Sequence, residues 1–169
     1  MIETAHLELR PPIYSDFEAS AAMFAEQRVV LHLGGVPLTR AKAWEKFLRD
    51  VGHWVIEDFG LFSIIEKASE EYVGKIGFAR FERDLSSQTD TFIEMSWTLR
   101  SCFHGRGYAF EAAIASQAWF DEKFAGRTAC VISPDNKASI KLAKRIGYLD
   151  TGNTQLDNSS VNLLTRDVR

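Results

Sequence analysis

The sequence predicts one α/β domain, spanning residues 1–169, that is built on a mixed sheet. The length suits a single hydrophobic core, and 46% hydrophobic with 25% charged residues is typical of a soluble globular protein. Segments with the two-residue period of strands alternate along the chain with segments of helical period. In the second half a strand, a glycine turn, a helix, a strand and another helix follow in order, which favours a mixed sheet covered by helices.

The first half of the chain predicts a strand followed by two helices. Residues 6–11 alternate in polarity and end at a pair of prolines, a pattern typical of a strand. Ser15 and Glu18 form a capping-box pattern, which starts a helix that reaches about Gln27. Thr39 is suited to cap a second helix, whose apolar side chains recur at helical spacing.

Three predicted strands fill the middle of the chain. Residues 61–66 and 72–81 are rich in strand-forming residues and flank a short polar loop, which predicts a hairpin. The third strand, 91–99, alternates clearly. Its side chains divide into one face with Ile93, Met95, Trp97 and Leu99 and another with Phe92, Glu94, Ser96 and Thr98.

Two helices and three strands complete the prediction. A helix over about 107–124 follows the glycine turn, and a later helix begins at Pro134-Asp135-Asn136 and ends at Gly147, a residue suited to terminate a helix. The remaining strands are expected at 128–133, 148–153 and 160–167.

Composition excludes several classes of function. A net charge of −3 and a pI near 5.8 argue against a nucleic-acid-binding protein, which usually carries a basic surplus. We expect no secretory leader, because the first residues lack a basic segment before an apolar core, and no stretch is long enough to span a bilayer. Cys102, Cys130 and the four histidines match no disulfide framework or zinc pattern. We therefore expect a cytoplasmic protein without a metal and without nucleic-acid or membrane partners.

The stretch 104-HGRGYAFEAA-113 is the strongest local signal, and it favours binding of an anion. The first N–H groups of a helix have no internal acceptor, and the helix dipole places about half a positive charge there. Glycines let the backbone approach a ligand closely, and Arg106 adds a fixed positive charge. A plain turn before a helix that faces the core is the alternative interpretation.

Two common phosphate motifs are excluded for this turn. The dinucleotide fingerprint G-x-G-x-x-G fails because Phe110 occupies the position of the third glycine. The P-loop fails because the sequence contains no Gly-Lys followed by Ser or Thr.

The turn instead resembles the acyl-CoA loop of the GNAT family of N-acetyltransferases, most closely the RimJ/RimL-like branch that acetylates N-termini of ribosomal proteins. The family pattern is Q/R-x-x-G-x-G/A, and His104 stands where Gln or Arg is usual. The stretch 133-SPDNKASIKLAKRIGY-148 resembles the second family signature, and 6-HLELRP-11 resembles the start of this branch. The motifs occur in the family's order and cover nearly the whole chain.

The resemblance implies a mostly antiparallel sheet of about seven strands, splayed at its centre and flanked by about four helices. It implies acetyl-CoA as co-substrate, with the pantetheine arm in the gap beside the strand that precedes the glycine loop. The implied acetyl-CoA contacts are the strand end Trp97, Thr98 and Leu99, the loop His104, Gly105, Arg106, Gly107, Tyr108 and Ala109, and the helix start Asn136 and Ser139.

Two residues are candidates for the chemistry. Glu94, the only ionisable group in 91–99, is the candidate base, and an outward-facing acid on a half-solvated strand is the alternative. Many relatives protonate the leaving thiolate with a tyrosine at the position of Ala143, so Ser139 becomes the candidate donor here. Alternatively, Ser139 bonds to nearby backbone. Asn136 orients the pantetheine or serves as an ordinary helix cap.

The implied function is transfer of an acetyl group from acetyl-CoA to a primary amine, by direct attack through a tetrahedral intermediate. The amine belongs to a protein or peptide N-terminus or to a small molecule, and the net acidity mildly favours a cationic acceptor. The first alternative is a regulatory domain that binds CoA without turnover, and the second is a structural domain without a CoA site. A monomer or a homodimer is expected.

Overall fold

The computed structural model describes residues 1–83, 93–156 and 159–168, which form one sheet with helices on both faces. The strands are β1 (Ile2–Glu3), β2 (Leu7–Arg10), β3 (Leu61–Glu66), β4 (Tyr72–Arg80), β5 (Ile93–Leu99), β6 (Gly126–Ile132), β7 (Leu149–Leu156) and β8 (Ser159–Val168). The helices are α1 (Phe17–Ala25), α2 (Gln27–Val30), α3 (Arg40–Ile56), α4 (Tyr108–Asp121) and α5 (Lys137–Arg145). Short 3-10 turns cover Tyr14–Asp16 and Ser101–Phe103.

The sheet is mixed and mostly antiparallel, as predicted. Its strand order is β1-β2-β3-β4-β5-β6-β8-β7, and only β5 and β6 pair in parallel among the described residues. The described part contains eight strands rather than seven, because β1 adds a two-residue edge strand beside β2. It contains five helices rather than four, because the four-residue α2 follows directly after α1. Residues 91 and 92 of the predicted third strand lie outside the described residues.

The sheet opens between its two central strands. β5 and β6 are each seven residues long, yet their only registered pair is Glu94 with Ala129. By contrast, β6 pairs with β8 at seven positions. On the side of β5 that faces β6, the strand therefore borders a gap beyond Glu94. This confirms the predicted central splay.

Each face of the sheet has its own apolar cluster. On one face Phe120 of α4 stacks on Phe78 of β4, with ring centroids 3.9 Å apart, and Leu99 belongs to the same cluster. On the other face Phe24 of α1 packs with Tyr72 of β4. Because side chains alternate along a strand, Glu94, Ser96 and Thr98 of β5 share the face that α1 and α3 cover.

A buried carboxylate fixes the start of the first helix. Asp16 accepts two hydrogen bonds from the Arg10 guanidinium, at 2.7 and 2.8 Å, and one each from the Ile13 N–H and the Ser63 hydroxyl. The helix begins one residue later than predicted, because Asp16 rather than Ser15 is its N-cap residue. These bonds anchor the turn to β2 and β3.

Candidate functional site

The site begins at the glycine turn before α4. Gly105 and Gly107 have φ angles of 78° and 85°, in the left-handed region that side chains other than glycine rarely adopt. A Cβ atom built on either residue would meet nothing within 4 Å. The backbone conformation, not lack of space, therefore requires glycine at both positions, and the loop stays open to solvent.

This turn presents free hydrogen-bond donors. Within the described parts of the chain, the backbone N–H groups of residues 105–109 have no acceptor, whereas the N–H groups of Phe110 and Glu111 bond back to the Gly107 carbonyl. Residues 104–107 are exposed. Five consecutive donors at the positive end of a 14-residue helix form a site that suits a phosphate or pyrophosphate group.

Two loop side chains turn toward a carboxylate on β3. The Arg106 Nη1 lies 3.6 Å from Glu66 Oε1, and the Tyr108 hydroxyl donates a hydrogen bond to the same oxygen. Hydrogen bonds from Ser69 and Tyr108 hold the pKa of Glu66 below its usual value. The Arg106 side chain is half exposed and lies over the Phe103 ring, so its guanidinium is accessible from solvent.

His104 ties the loop back to the end of β5. Its Nε2 lies 2.9 Å from the Leu99 carbonyl oxygen and donates to it, since a carbonyl can only accept. At the position where the family usually has Gln or Arg, the imidazole thus holds the loop against the strand end.

The free edge of β5 carries further donors. The Arg100 N–H donates to the carbonyl oxygen of Val73 in β4. Backbone groups alternate between the two edges of an antiparallel strand, so the N–H groups of Trp97 and Leu99 point away from β4 and into the gap. β6 supplies no registered partner there. A carbonyl oxygen in the gap would therefore find backbone donors on β5.

Trp97 and Ser139 meet across the gap. The Trp97 indole Nε1 donates to Ser139 Oγ at 3.2 Å, which joins β5 to the first turn of α5. Because the indole is a donor only, the Ser139 hydroxyl proton is left for another acceptor. The same helix turn is capped by Asn136, whose Oδ1 accepts the Ser139 N–H at 3.1 Å. Asn136 is thus a helix cap here, and its side-chain amide N–H groups are its available donors.

Glu94 is buried and paired, not an outward-facing acid. Its side chain is 4% exposed, and Arg83 donates to both carboxylate oxygens, at 2.8 and 3.1 Å. Burial raises the pKa of Glu94, and the Arg83 charge opposes that rise. Glu94 sits at the last paired position of β5 and β6, where the gap begins.

Several neighbours of the site carried no recognisable sequence signal. Arg83 follows β4 in a polar segment, and Glu66 ends β3, far along the chain from Glu94 and Arg106 respectively. Long-range sheet pairing brings these partners together, so no local pattern could have indicated them. The motifs themselves do meet in space: the glycine turn, the end of β5 and the start of α5 surround one gap.

A surface hollow near the start of α3 is separate from these residues. It is lined by Tyr14, Phe17, Arg40, Ala41 and Trp44. The Arg40 guanidinium lies over the Phe17 ring and pairs with Glu18. None of the predicted site residues lines it.

The described residues contain no group of three or more His, Cys, Asp or Glu side chains placed to hold a metal ion. In the same part of the chain, no helix has the length and apolar character needed to cross a membrane.

Known proteins resemble this chain over most of its length. The model of the acetyltransferase (GNAT) domain family matches residues 6–149. The uncharacterized protein YkkB of Bacillus subtilis (strain 168) is 34% identical over 98 residues, which are 57% of this chain and 50% of YkkB, so the match spans about half of that relative. A structure assigned to the GnaT-family acetyltransferases, from Bordetella pertussis, is 28% identical, covers 98% of both chains and has a TM-score of 0.85.

Two structures with more specific names share the fold at lower identity. RimL, a ribosomal L7/L12 α-N-protein acetyltransferase in complex with coenzyme A, is 15% identical with a TM-score of 0.76, over 98% of this chain and 96% of RimL. The aminoglycoside acetyltransferase AAC(6')-Ib in complex with coenzyme A is 14% identical with the same TM-score, over 95% and 94% of the chains. The equal likeness does not separate the RimJ/RimL-like branch from other branches.

Proposed function

Because the chain belongs to the GNAT acetyltransferase family, we propose that it transfers an acetyl group from acetyl-CoA to a primary amine. One observation carries the proposal. Five unpartnered backbone N–H groups at the start of α4 lie beside the gap between β5 and β6, with the loop tied to the strand end by His104. Residues 105–109 would hold the pyrophosphate, and the gap would hold the pantetheine arm.

The edge of β5 supplies the electrostatic part of the reaction. The N–H groups of Trp97 and Leu99 face the gap, where a thioester carbonyl would accept from them. Donors fixed in advance at such a position stabilise the oxyanion of a tetrahedral intermediate, and removing one typically costs about a hundredfold or more in rate. The amine attacks the thioester carbon directly, the C–S bond then breaks, and CoA leaves as its thiolate.

The leaving thiolate needs a proton or a hydrogen bond, and we assign the hydrogen bond to Ser139, which keeps its own proton. The Trp97 indole donates to the serine oxygen, so the serine hydroxyl is free to donate to sulfur. A hydrogen bond in such a chain polarises the next one, so the indole strengthens the serine as a donor. Asn136 places Ser139 by capping the same helix turn.

The amine must be neutral when it attacks. At pH 7 deprotonation costs about 1 kcal/mol for an α-amino group but about 4.6 kcal/mol for a lysine side chain, from their reference pKa values. Glu94 is our candidate base, because it is buried where the gap begins and burial raises the pKa of its carboxyl. With Arg83 on both oxygens, a proton would reach it most simply through a bridging water.

A CoA-binding domain without turnover is the second candidate. Two observations favour it: Ala143 stands where many relatives have a tyrosine, and Arg83 already occupies both oxygens of Glu94. In that case the glycine turn would bind CoA, but no amine would be acetylated.

A thiol-release assay separates the two candidates. The protein would be incubated with acetyl-CoA and a panel of peptide N-termini, amino acids, polyamines and aminoglycosides, and the free CoA thiol would be measured. Release that depends on an amine, with acetylated product found by mass spectrometry, supports the transferase. Binding of CoA without release across the whole panel supports the regulatory domain.

A further inference from the structure

A group of basic side chains lies on the sheet face opposite α4, beside the proposed reaction centre. We call it the basic cluster. It comprises Lys46 and Arg49 of α3, Lys75 of β4 and Arg83 after β4, together with the two carboxylates Asp50 and Glu94. None of these residues except Glu94 has a role in the chemistry proposed above.

Lys75 places the cluster next to the end of β5. It is the registered partner of Thr98, and directly opposite residues of an antiparallel pair have Cβ atoms about 4.5–5.5 Å apart. The Lys75 ammonium pairs with Asp50, and both side chains are more than nine-tenths buried. Thr98 shares a face of β5 with Glu94, so α3 is held over the face that carries the candidate base.

Lys46 is a cation of this cluster without a carboxylate partner in the described residues. It precedes Asp50 by one helical turn, so the two side chains share a face of α3. Its ammonium lies 5.2 Å from the centre of the Phe24 ring, and the Lys75 ammonium lies 5.0 Å from the same centre. Two ammonium groups thus share one aromatic ring, while the Asp50 carboxylate pairs with Lys75.

Two guanidinium groups close the other side of the cluster. Arg49 and Arg83 both lie over the Phe81 ring, at 5.0 and 4.5 Å from its centre. Arg83 is neutralised by Glu94. Within the described segments, Arg49 contacts a carboxylate only at Asp50, 3.5 Å away, and Asp50 is already paired with Lys75. The Arg49 side chain is 44% exposed. It therefore retains donors that point to solvent or to a ligand.

Four basic and two acidic side chains leave an excess of two positive charges when all are ionised, in a protein whose net charge is −3. We propose that the acceptor amine carries an anionic group, a carboxylate or a phosphate, which Lys46 and Arg49 bind while the amine faces the gap. This inference rests on the proposed function and names the class of its acceptor. It reverses the mild preference for a cationic acceptor that the overall charge suggests.

The titration of Lys46 agrees with this assignment. Burial, followed by the charges of Lys75 and Arg49, lowers the pKa of Lys46 to about 7. A bound anion would supply the missing negative charge and favour the ammonium form.

The test compares acceptors that differ in an anionic group: β-alanine with β-alaninamide, and O-phosphoethanolamine with ethanolamine. Their binding would be measured by calorimetry on the protein saturated with CoA, which carries no acetyl group, so the result does not require turnover. We expect one anionic member to bind about ten- to hundredfold more tightly than its neutral partner, as hydrogen bonds to charged groups allow. The carboxylate and phosphate pairs show which anion the site takes.

Variants locate the effect. Lys46→Met keeps the length of the side chain and should abolish the preference, and Arg49→Gln, at a more exposed position, should reduce it. Lys42→Met is the matched control, because Lys42 lies one turn earlier on α3 and pairs with exposed Glu45. The preference should persist in that variant. Comparing wild type with variant for the same pair cancels any difference in affinity that comes from the rest of the amine.

Two results would overturn the inference: equal affinity for both members of each pair, or equal effects of Lys46→Met and Lys42→Met on the preference. If the proposed function fails, CoA binds to the protein but no amine causes release of the CoA thiol from acetyl-CoA. In that case the calorimetric comparison still shows whether the basic cluster binds an anionic amine.

Discussion

A single hydrogen bond, from the Trp97 indole to the Ser139 hydroxyl, connects the strand that borders the gap with the helix opposite. It leaves one proton on Ser139 for the departing sulfur. We expect Ser139→Ala to lower kcat about ten- to hundredfold, the range for a hydrogen bond to a charged group, with acetyl-CoA affinity nearly unchanged. Steady-state kinetics and a binding titration measure the two effects separately.

Trp97→Phe is the companion variant. It keeps the serine hydroxyl but removes the donor that positions it, so the expected fall in kcat is smaller than in Ser139→Ala. If Ser139→Ala instead weakens acetyl-CoA binding and leaves kcat intact, Ser139 serves binding and does not stabilise the leaving thiolate.

The role proposed for Glu94 predicts how kcat/KM depends on pH. As a base it works only when ionised, and burial raises its pKa while Arg83 lowers it. We expect Glu94→Gln to lower kcat/KM by about a hundredfold near neutral pH, the lower range of general base catalysis. The loss should shrink above the pKa of the amine, where the acceptor is already neutral. A pH profile of kcat/KM shows both effects.

Arg83→Gln is the control for this prediction. Removing the guanidinium leaves Glu94 buried without its cation, so the pKa of the carboxyl should rise and the acid limb of the profile should move to higher pH. An unchanged profile in Glu94→Gln would exclude Glu94 as the base.

At the scale of elements, the start of α4 depends on a glycine backbone. Gly107 has a φ of 85°, and alanine in that region costs about 1–2 kcal/mol. Because a Cβ at Gly107 meets nothing within 4 Å, Gly107→Ala should fold and lose about that much stability. It should also bind acetyl-CoA more weakly, because the backbone N–H groups before α4 would be displaced. Thermal unfolding and a binding titration measure the two effects. Unchanged affinity for acetyl-CoA would contradict the role of these N–H groups in binding.

The pairing of β4 with β5 depends on a different glycine for a different reason. A Cβ at Gly74 would overlap the Thr98 carbonyl oxygen and lie 2.7 Å from the Leu99 Cα, both backbone atoms. We expect Gly74→Ala to destabilise the protein by about 1–3 kcal/mol, as overpacking does, and to displace the end of β5. Chemical denaturation measures the loss.

Gly52→Ala, in the interior of α3, is the matched control. A Cβ at Gly52 meets nothing within 4 Å, and its φ lies outside the left-handed region. Alanine is the better helix former, so this variant should gain up to about 1 kcal/mol. Equal losses in both variants would contradict the close approach at Gly74.

At the scale of the whole molecule, binding of acetyl-CoA to the folded state should raise thermal stability. At a concentration one hundred times Kd the gain is about 2.7 kcal/mol. For a domain of this size each kcal/mol corresponds to about 2–4 °C in Tm, so we expect a shift of roughly 5–10 °C. Differential scanning fluorimetry measures it. No shift at millimolar acetyl-CoA would favour a structural domain without a CoA site.

The sequence predicted the parts of this molecule that depend on neighbours along the chain. The order of strands and helices follows from periodicity, and the turn before α4 follows from glycines just before a run of helix formers. The start of α5 could be placed because the Asn136 side chain caps this helix by accepting the N–H of Ser139, three residues later. Each of these features involves contacts within a few residues.

Only the tertiary structure decided the environment of the site. It paired Arg83 with Glu94, set Trp97 against Ser139, and brought Lys75 to Asp50, beside the basic residues of α3. Periodicity along β5 separated its two faces, but it did not tell which face α3 would cover or which cations would meet there. The physical reason is that charge compensation depends on distance in space. Sheet register and helix packing set that distance, and neither is written in the local pattern of one segment.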